Sequence, residues 1–138
     1  MSLLLDTGVI RDLCRREDHE NKVRFQKVLA RGEQIFLSVV APYELRRHFY
    51  RYNATAQIRL LDALTQRFGI KDISWPAWDR AATIWATLKK RNITLAPDQR
   101  LDGDGLLSAH AEISSATIAT KNVRHFEEIG AAVEDWSI

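Results

Sequence analysis

Cysteine is almost missing from this chain. The single Cys14 excludes an intramolecular disulfide and leaves no partner for a cysteine-rich zinc site, which fits a reducing compartment. Glycine and proline are also sparse, at six and three residues, so no flexible linker divides the 138 residues; one domain spanning 1–138 is expected. Long apolar runs are absent too. The opening MSLLLDTGV breaks its three leucines with Asp6, too short a run for a signal peptide or a membrane span. The expectation is a soluble protein acting in the cytoplasm. Charge of one sign is not in excess: the net value is +2, with +3 over residues 1–53 and −1 over 54–138. At most a local basic patch follows. No GxGxxG, Walker A or G-x-S-x-G motif occurs, and the histidines at 19, 48, 110 and 125 have no zinc-like spacing. Dinucleotide, P-loop and serine-hydrolase chemistries lose their main support.

What is present is a series of short, unalternating apolar runs between helical stretches. Residues 2 to 5, IFLSVV at 35–40 and ATIAT at 116–120 read as strands buried on both faces, with GIKDIS at 69–74 weaker and AAVEDW at 131–136 an edge strand. Helices are predicted over 20–31 and 54–68, and from Ser74-Trp75-Pro76 to Lys89-Lys90-Arg91, proline suiting a first turn and bases a last one. On the last of these, Trp78, Ala81, Ala82, Trp85 and Leu88 recur at helical spacing, which makes the tryptophans core residues. Such an alternation predicts an α/β fold with a parallel sheet covered by helices.

Isolated oxygen-bearing side chains stand where the buried strands stop. Asp6 follows Leu3-Leu4-Leu5 and either caps the next helix or faces a ligand, since open parallel sheets bind ligands outside their carboxyl ends. Glu44 lies just beyond IFLSVV in an apolar turn, where an inward carboxylate needs a cation or a hydrogen-bond partner. In DGDGLLSAHA, Asp102 reads as an N-cap and Asp104 as a first-turn residue facing a pocket or solvent, with the glycines turning the chain. Asn122 follows ATIAT and supplies a neutral oxygen or a turn. His110 reads as packed or surface. Clustered carboxylates repel unless they share a cation or a proton, and oxygen ligands suit magnesium or manganese.

LLLDTGVI, SVVAPYELRR, DGDGLLSAHA and IATKNVRHFEEIG, in this order, resemble the PIN-domain nucleases, and more narrowly the VapC-like toxins of bacterial and archaeal toxin–antitoxin pairs. The resemblance implies a three-layer α/β/α sandwich with a short, mostly parallel central sheet. It also implies a Mg²⁺- or Mn²⁺-dependent endoribonuclease, usually a homodimer and neutralised by a cognate antitoxin. Carried over, Asp6, Glu44 and Asp104 become the metal carboxylates, and Asn122 holds the fourth corner where many members have an acid, with Asp102 able to compensate in part. Thr7 and Thr120 fall on the substrate side. Arg46, Arg47 and Arg51 contact RNA phosphates, dock the antitoxin or form a solvated face. Gly105 and Ser108 depart from the usual helix, and Phe126 of His125-Phe126 is a core anchor. Two other readings stand beside this one. Asn122 suits a catalytically silent PIN-like module that binds RNA or protein, and Asp6 suits a flavodoxin-like or receiver-type regulator.

Overall fold

The leucine run at the start forms the middle of the sheet, because an extended segment without polar alternation is stable only when covered on both sides. In the computed structural model, residues 2–15, 19–91 and 98–137 are described, excepting the side chains of 98–102. The strands are β1 (Ser2–Leu5), β2 (Gln34–Ser38), β3 (Ile70–Lys71), β4 (Thr117–Thr120) and β5 (Val133–Asp135). All pair in parallel, in the order β3-β2-β1-β4-β5. The helices are α1 (Thr7–Leu13), α2 (Glu20–Ala30), α3 (Val40–Arg51), α4 (Thr55–Phe68), α5 (Trp75–Lys90), α6 (Asp98–Ile113) and α7 (Val123–Ile129).

Successive strand side chains point to opposite faces, and the two faces carry separate cores. Leu3, Leu5, Ile35, Leu37 and Ala119 pack with Val9, Phe25, Leu45 and Leu61 of α1 to α4. Leu4, Phe36 and Ile118 pack on the other side with Leu107 and Ala111 of α6 and Phe126 of α7. This is the expected α/β/α sandwich, with a fully parallel sheet among the described strands. Burying one such leucine completely stabilises the fold by about 1.5–3 kcal/mol, so the central strands are its most firmly held part. Among the described residues no helix is long and apolar enough to cross a membrane.

Three expectations need correction. The buried stripe of α5 is Ala77, Ala81, Ile84 and Leu88, while Trp75, Trp78 and Trp85 are 75, 46 and 47 % exposed. Two stripes one residue apart both satisfy helical spacing; the small one faces inward because the alanines let α5 approach Ala109 of α6 closely. IFLSVV does not stay extended to its end: Val39 is the N-cap of α3 and Val40 its first residue. DGDG is not a turn. Helix α6 already runs from Asp98, so Asp102 is not its N-cap, Asp104 lies in the second turn, and both glycines are helical. The side chain of Asp102, and with it any share in ligand binding, lies outside the described residues.

Sheet order also decides against the receiver-type alternative, whose doubly wound sheet runs 2-1-3-4-5. Here the chain builds outward from β1 through β2 to β3, then returns to β4 on the other side of β1. The change of direction leaves a crevice at the carboxyl ends of β1 and β4, where such sheets bind ligands.

Candidate functional site

Asp6 is the first residue after β1 and the N-cap of α1. Its Oδ1 accepts from the Thr7 amide at 2.8 Å, and its Oδ2 accepts from the Thr120 hydroxyl at 2.8 Å across the crevice. The capping reading of Asp6 holds, with one oxygen on the start of α1, while the other is tied to β4 at the rim of the cleft. The residue is buried, and burial pushes its carboxyl above the usual range against the hydrogen bonds from Thr120 and Thr7 and the charge of Arg11. Thr120 in turn accepts from the Asn122 amide at 2.9 Å, which ties the end of β4 to the same carboxylate.

Glu44 projects from the second turn of α3 and is half-buried. Its Oε1 accepts from the Thr7 hydroxyl at 3.1 Å, so Thr7 bridges two acids, by its amide to Asp6 and by its side chain to Glu44. Across the crevice the backbone of α6 comes close: a methyl added at Gly103 would lie 3.3 Å from Glu44 Oε2 and 3.4 Å from Oε1. One turn of α6 is thereby pressed against the Glu44 carboxylate, and Asp104, the next residue, follows it to the site. Its Oδ2 is 3.4 Å from His125 Nδ1 of α7.

Asp6, Thr7, Glu44, Asp104 and Asn122 line one cleft of about 380 Å³, joined by Gly8, Arg11, Arg47, His48 and Lys121. Asn122 is the N-cap of α7 but makes no side-chain capping bond. The arginine run divides. Arg47 lines the cleft, Arg46 is bound to Asp62 of α4 and to the Tyr50 hydroxyl, and Arg51 lies over the Tyr52 ring at 5.4 Å. Arg46 thus fastens α3 to α4, and among the described cleft residues neither it nor Arg51 appears. Thr120 supports Asp6 from behind.

Sequence reasoning missed Arg11, Lys121 and Gly103. Arg11 stands one helical turn after Thr7 and so shares its face, a signal that was available. Lys121 sits beside Asn122, but its anchor is non-local: its ammonium is 2.6 Å from Asp12, a fully buried carboxylate that also accepts from Asn21 at 2.9 Å. Burial alone would push the Asp12 carboxyl up; the hydrogen bond and charge of Lys121, with Asn21 and His19, hold it below the usual range. Gly103 carries no sequence signal for its closeness to Glu44.

The donor set is all oxygen, which suits a hard divalent cation. With Lys121 paired to Asp12, three carboxylates face two arginines among the described residues of the cleft, a balance that favours an added positive charge. Among the described residues no three acids, histidines or cysteines are already gathered around one point. Magnesium asks for less, being held commonly by one or two carboxylates with several waters retained. The residues fit such an ion on chemistry. Elsewhere, His110 is packed, as one of its two structural readings had it: it is buried, sits 2.8 Å from Ser38 Oγ by its Nδ1, and has its pKa lowered first by burial and then by Lys71.

The PIN domain family model matches residues 3–132. No curated protein matches the sequence. Several solved structures share the fold at low identity. VapBC2 from Rickettsia felis, bound to a DNA fragment from its promoter, aligns with a TM-score of 0.82 at 20% identity over 99% of both chains. VapBC-1 from nontypeable Haemophilus influenzae gives 0.79 at 22% over 100% of each. FitAcB from Neisseria gonorrhoeae gives 0.76 at 24% over 99% of each.

Proposed function

The chain belongs to the PIN-domain family, and from that premise we propose that it is a Mg²⁺- or Mn²⁺-dependent endoribonuclease, the toxin of a toxin–antitoxin pair. The observation that carries the reading is that Asp6, Glu44, Asp104 and Asn122 line one and the same cleft at the switch point of the sheet. Asp6, Glu44 and Asp104 would hold the ion, with Asn122 as a neutral oxygen donor beside them and Asp102 as a further candidate. A bound divalent ion supplies Lewis acidity, lowering the pKa of a water and offsetting charge on the phosphate.

The chain's own residues do the positioning. Thr7 and Thr120 fix the Asp6 carboxylate, and Thr7 also fixes Glu44, so two acids share one rigid support at the start of α1. Arg47 and Arg11 offer guanidinium groups to the non-bridging oxygens of a phosphodiester, where geometry and charge both match. Water oxygen bonds to phosphorus and gives up a proton as the bond to the leaving ribose oxygen breaks, that oxygen taking a proton from solvent, with no protein nucleophile required. Cys14, the one thiol, suits this scheme as a bystander: it is buried and its pKa is pushed up to about 12, first by burial.

The structures sharing the fold were solved as VapBC and FitAB-type complexes, which supports a cognate antitoxin as partner. A homodimer acting in the cytoplasm belongs to the same proposal. The alternative is a catalytically silent module that binds RNA or protein, and it draws on Asn122 and on the absence of a gathered acid trio among the described residues.

RNA cleavage with and without Mg²⁺ or Mn²⁺, in wild type, Asp6→Asn and Asp104→Asn, separates the two. The nuclease reading expects metal-dependent cleavage that each substitution lowers by two or more orders of magnitude. Cleavage in chelator, or full activity in both variants, overturns the mechanism. RNA binding without cleavage in either metal selects the silent module.

A further inference from the structure

A second groove, of about 450 Å³, adjoins the acidic cleft, and it is apolar where the first is charged. Val40, Tyr43, Ile73, Trp78 and Leu106 line it, and it shares Glu44 and Arg47 with the cleft. Positions 40, 43, 44 and 47 fall on one face of α3 at helical spacing. That face therefore passes from an apolar residue through an aromatic ring to a carboxylate and then a guanidinium. Tyr43 and Trp78 are 59 and 46 % exposed, and Arg47 lies over the Tyr43 ring at 5.0 Å, held at the seam between the two spaces.

A ligand that fills both spaces has one anionic part and one flat part with apolar faces. A nucleotide unit has that chemistry, with its phosphate in the cleft and its base in the groove. Resting on the nuclease reading, we propose that this groove is a base subsite. Trp78 and Tyr43 seat the nucleobase next to the phosphodiester to be cut, and Arg47 orients the link between base and phosphate. The contact is with ring faces rather than base edges, so it strengthens binding of the substrate with only a modest preference among bases. It also answers why α5 carries an exposed tryptophan at 78 while its alanines face the core.

The test is steady-state cleavage, in Mn²⁺, of a fluorescent RNA and of the same RNA with an abasic nucleotide beside the cleaved bond. Wild type is compared with Trp78→Ala, Trp78→Phe, Tyr43→Ala and Trp85→Ala, the last an exposed tryptophan outside the groove, all checked for folding by circular dichroism. Base–aromatic stacking predicts that Trp78→Ala raises KM about 10- to 100-fold, more than it lowers kcat. Trp78→Phe should restore most of the loss and Trp85→Ala should leave KM unchanged. The abasic RNA should cost wild type a similar factor and cost Trp78→Ala little more, because both remove the same contact. Cleavage by wild type with KM unchanged in Trp78→Ala and Tyr43→Ala overturns the base subsite alone. So does a loss confined to binding of an apolar peptide, which would make the groove a protein-docking site. No cleavage of any RNA by wild type overturns the nuclease reading itself, and is told apart by the silence of every variant.

Discussion

Replacing Gly103 by alanine separates stability from activity at this site. Gly103 is helical, and alanine in a helix interior is more favourable than glycine by about 0.8–1.0 kcal/mol. The new methyl would sit 3.3 Å from Glu44 Oε2, tighter than such contacts usually are, so the carboxylate must retreat by a few tenths of an ångström. That retreat strains the 3.1 Å bond from Thr7 to Glu44 Oε1, whose net worth is about 1 kcal/mol. The two effects nearly cancel, and the melting temperature should stay within about 4 °C of wild type. Activity has no such compensation. A misplacement of about 1 Å costs on the order of 100-fold in rate, so a displacement of a few tenths predicts a loss of about tenfold in kcat/KM. Gly105→Ala is the control, because there the methyl meets Ile84 Cγ2 at 3.9 Å, an ordinary contact, and only the helix gain remains. Thermal melts and Mn²⁺-dependent RNA cleavage on the three proteins decide the matter. Full activity in Gly103→Ala, or an equal loss in Gly105→Ala, would refute the reasoning.

Two further outcomes follow from the buried carboxylates. The pKa of Asp6 is raised in the folded chain, so the stability it contributes is full below its ordinary value of 3.8 and is lost as pH rises through the folded value. Asp6→Asn should therefore melt higher than wild type at pH 7 in chelator, by about 2–4 °C for each 1 kcal/mol relieved, with the gap narrowing in Mg²⁺; a lower melting point in chelator contradicts this. Asp12 has the opposite sign: its lowered pKa contributes stability above its ordinary value of 3.8 that is lost as pH falls through the folded value. Removing its nearest cation in Lys121→Met leaves the buried charge to Arg15 at 3.4 Å and should cost about 2–3 kcal/mol by urea titration, less than for a fully enclosed pair because Arg15 remains and Lys121 is 30 % exposed. Asp12→Asn with Lys121→Met should recover part of that loss and flatten the acid limb below pH 3.8. Equal stability of wild type and Lys121→Met would remove the pair from any structural account.

The amino-acid pattern determined the layers and most of the acidic site by local rules. Leu3-Leu4-Leu5 and ATIAT are apolar without alternation, and only strands covered on both faces satisfy that. A polar residue just after a buried strand must emerge at the carboxyl end of the sheet, which is why Asp6 and Asn122 were legible from sequence, and Glu44 followed from opening a helix that leaves the same end. Sheet order was beyond such reasoning: the return from β3 to β4 beside β1 is a long-range choice, and it creates the crevice. Packing distances decided the rest. Helical spacing cannot tell the Ala77-Ala81-Ile84-Leu88 stripe of α5 from the tryptophan stripe beside it, and only the close approach of α6 turns the small side inward. In the same way Gly103 reads locally as a turn residue, and only the position of Glu44 on another helix means that a side chain there would press on the carboxylate. The ion pair of Lys121 with Asp12 joins residues more than a hundred positions apart, so only the folded chain could bring those charges into contact.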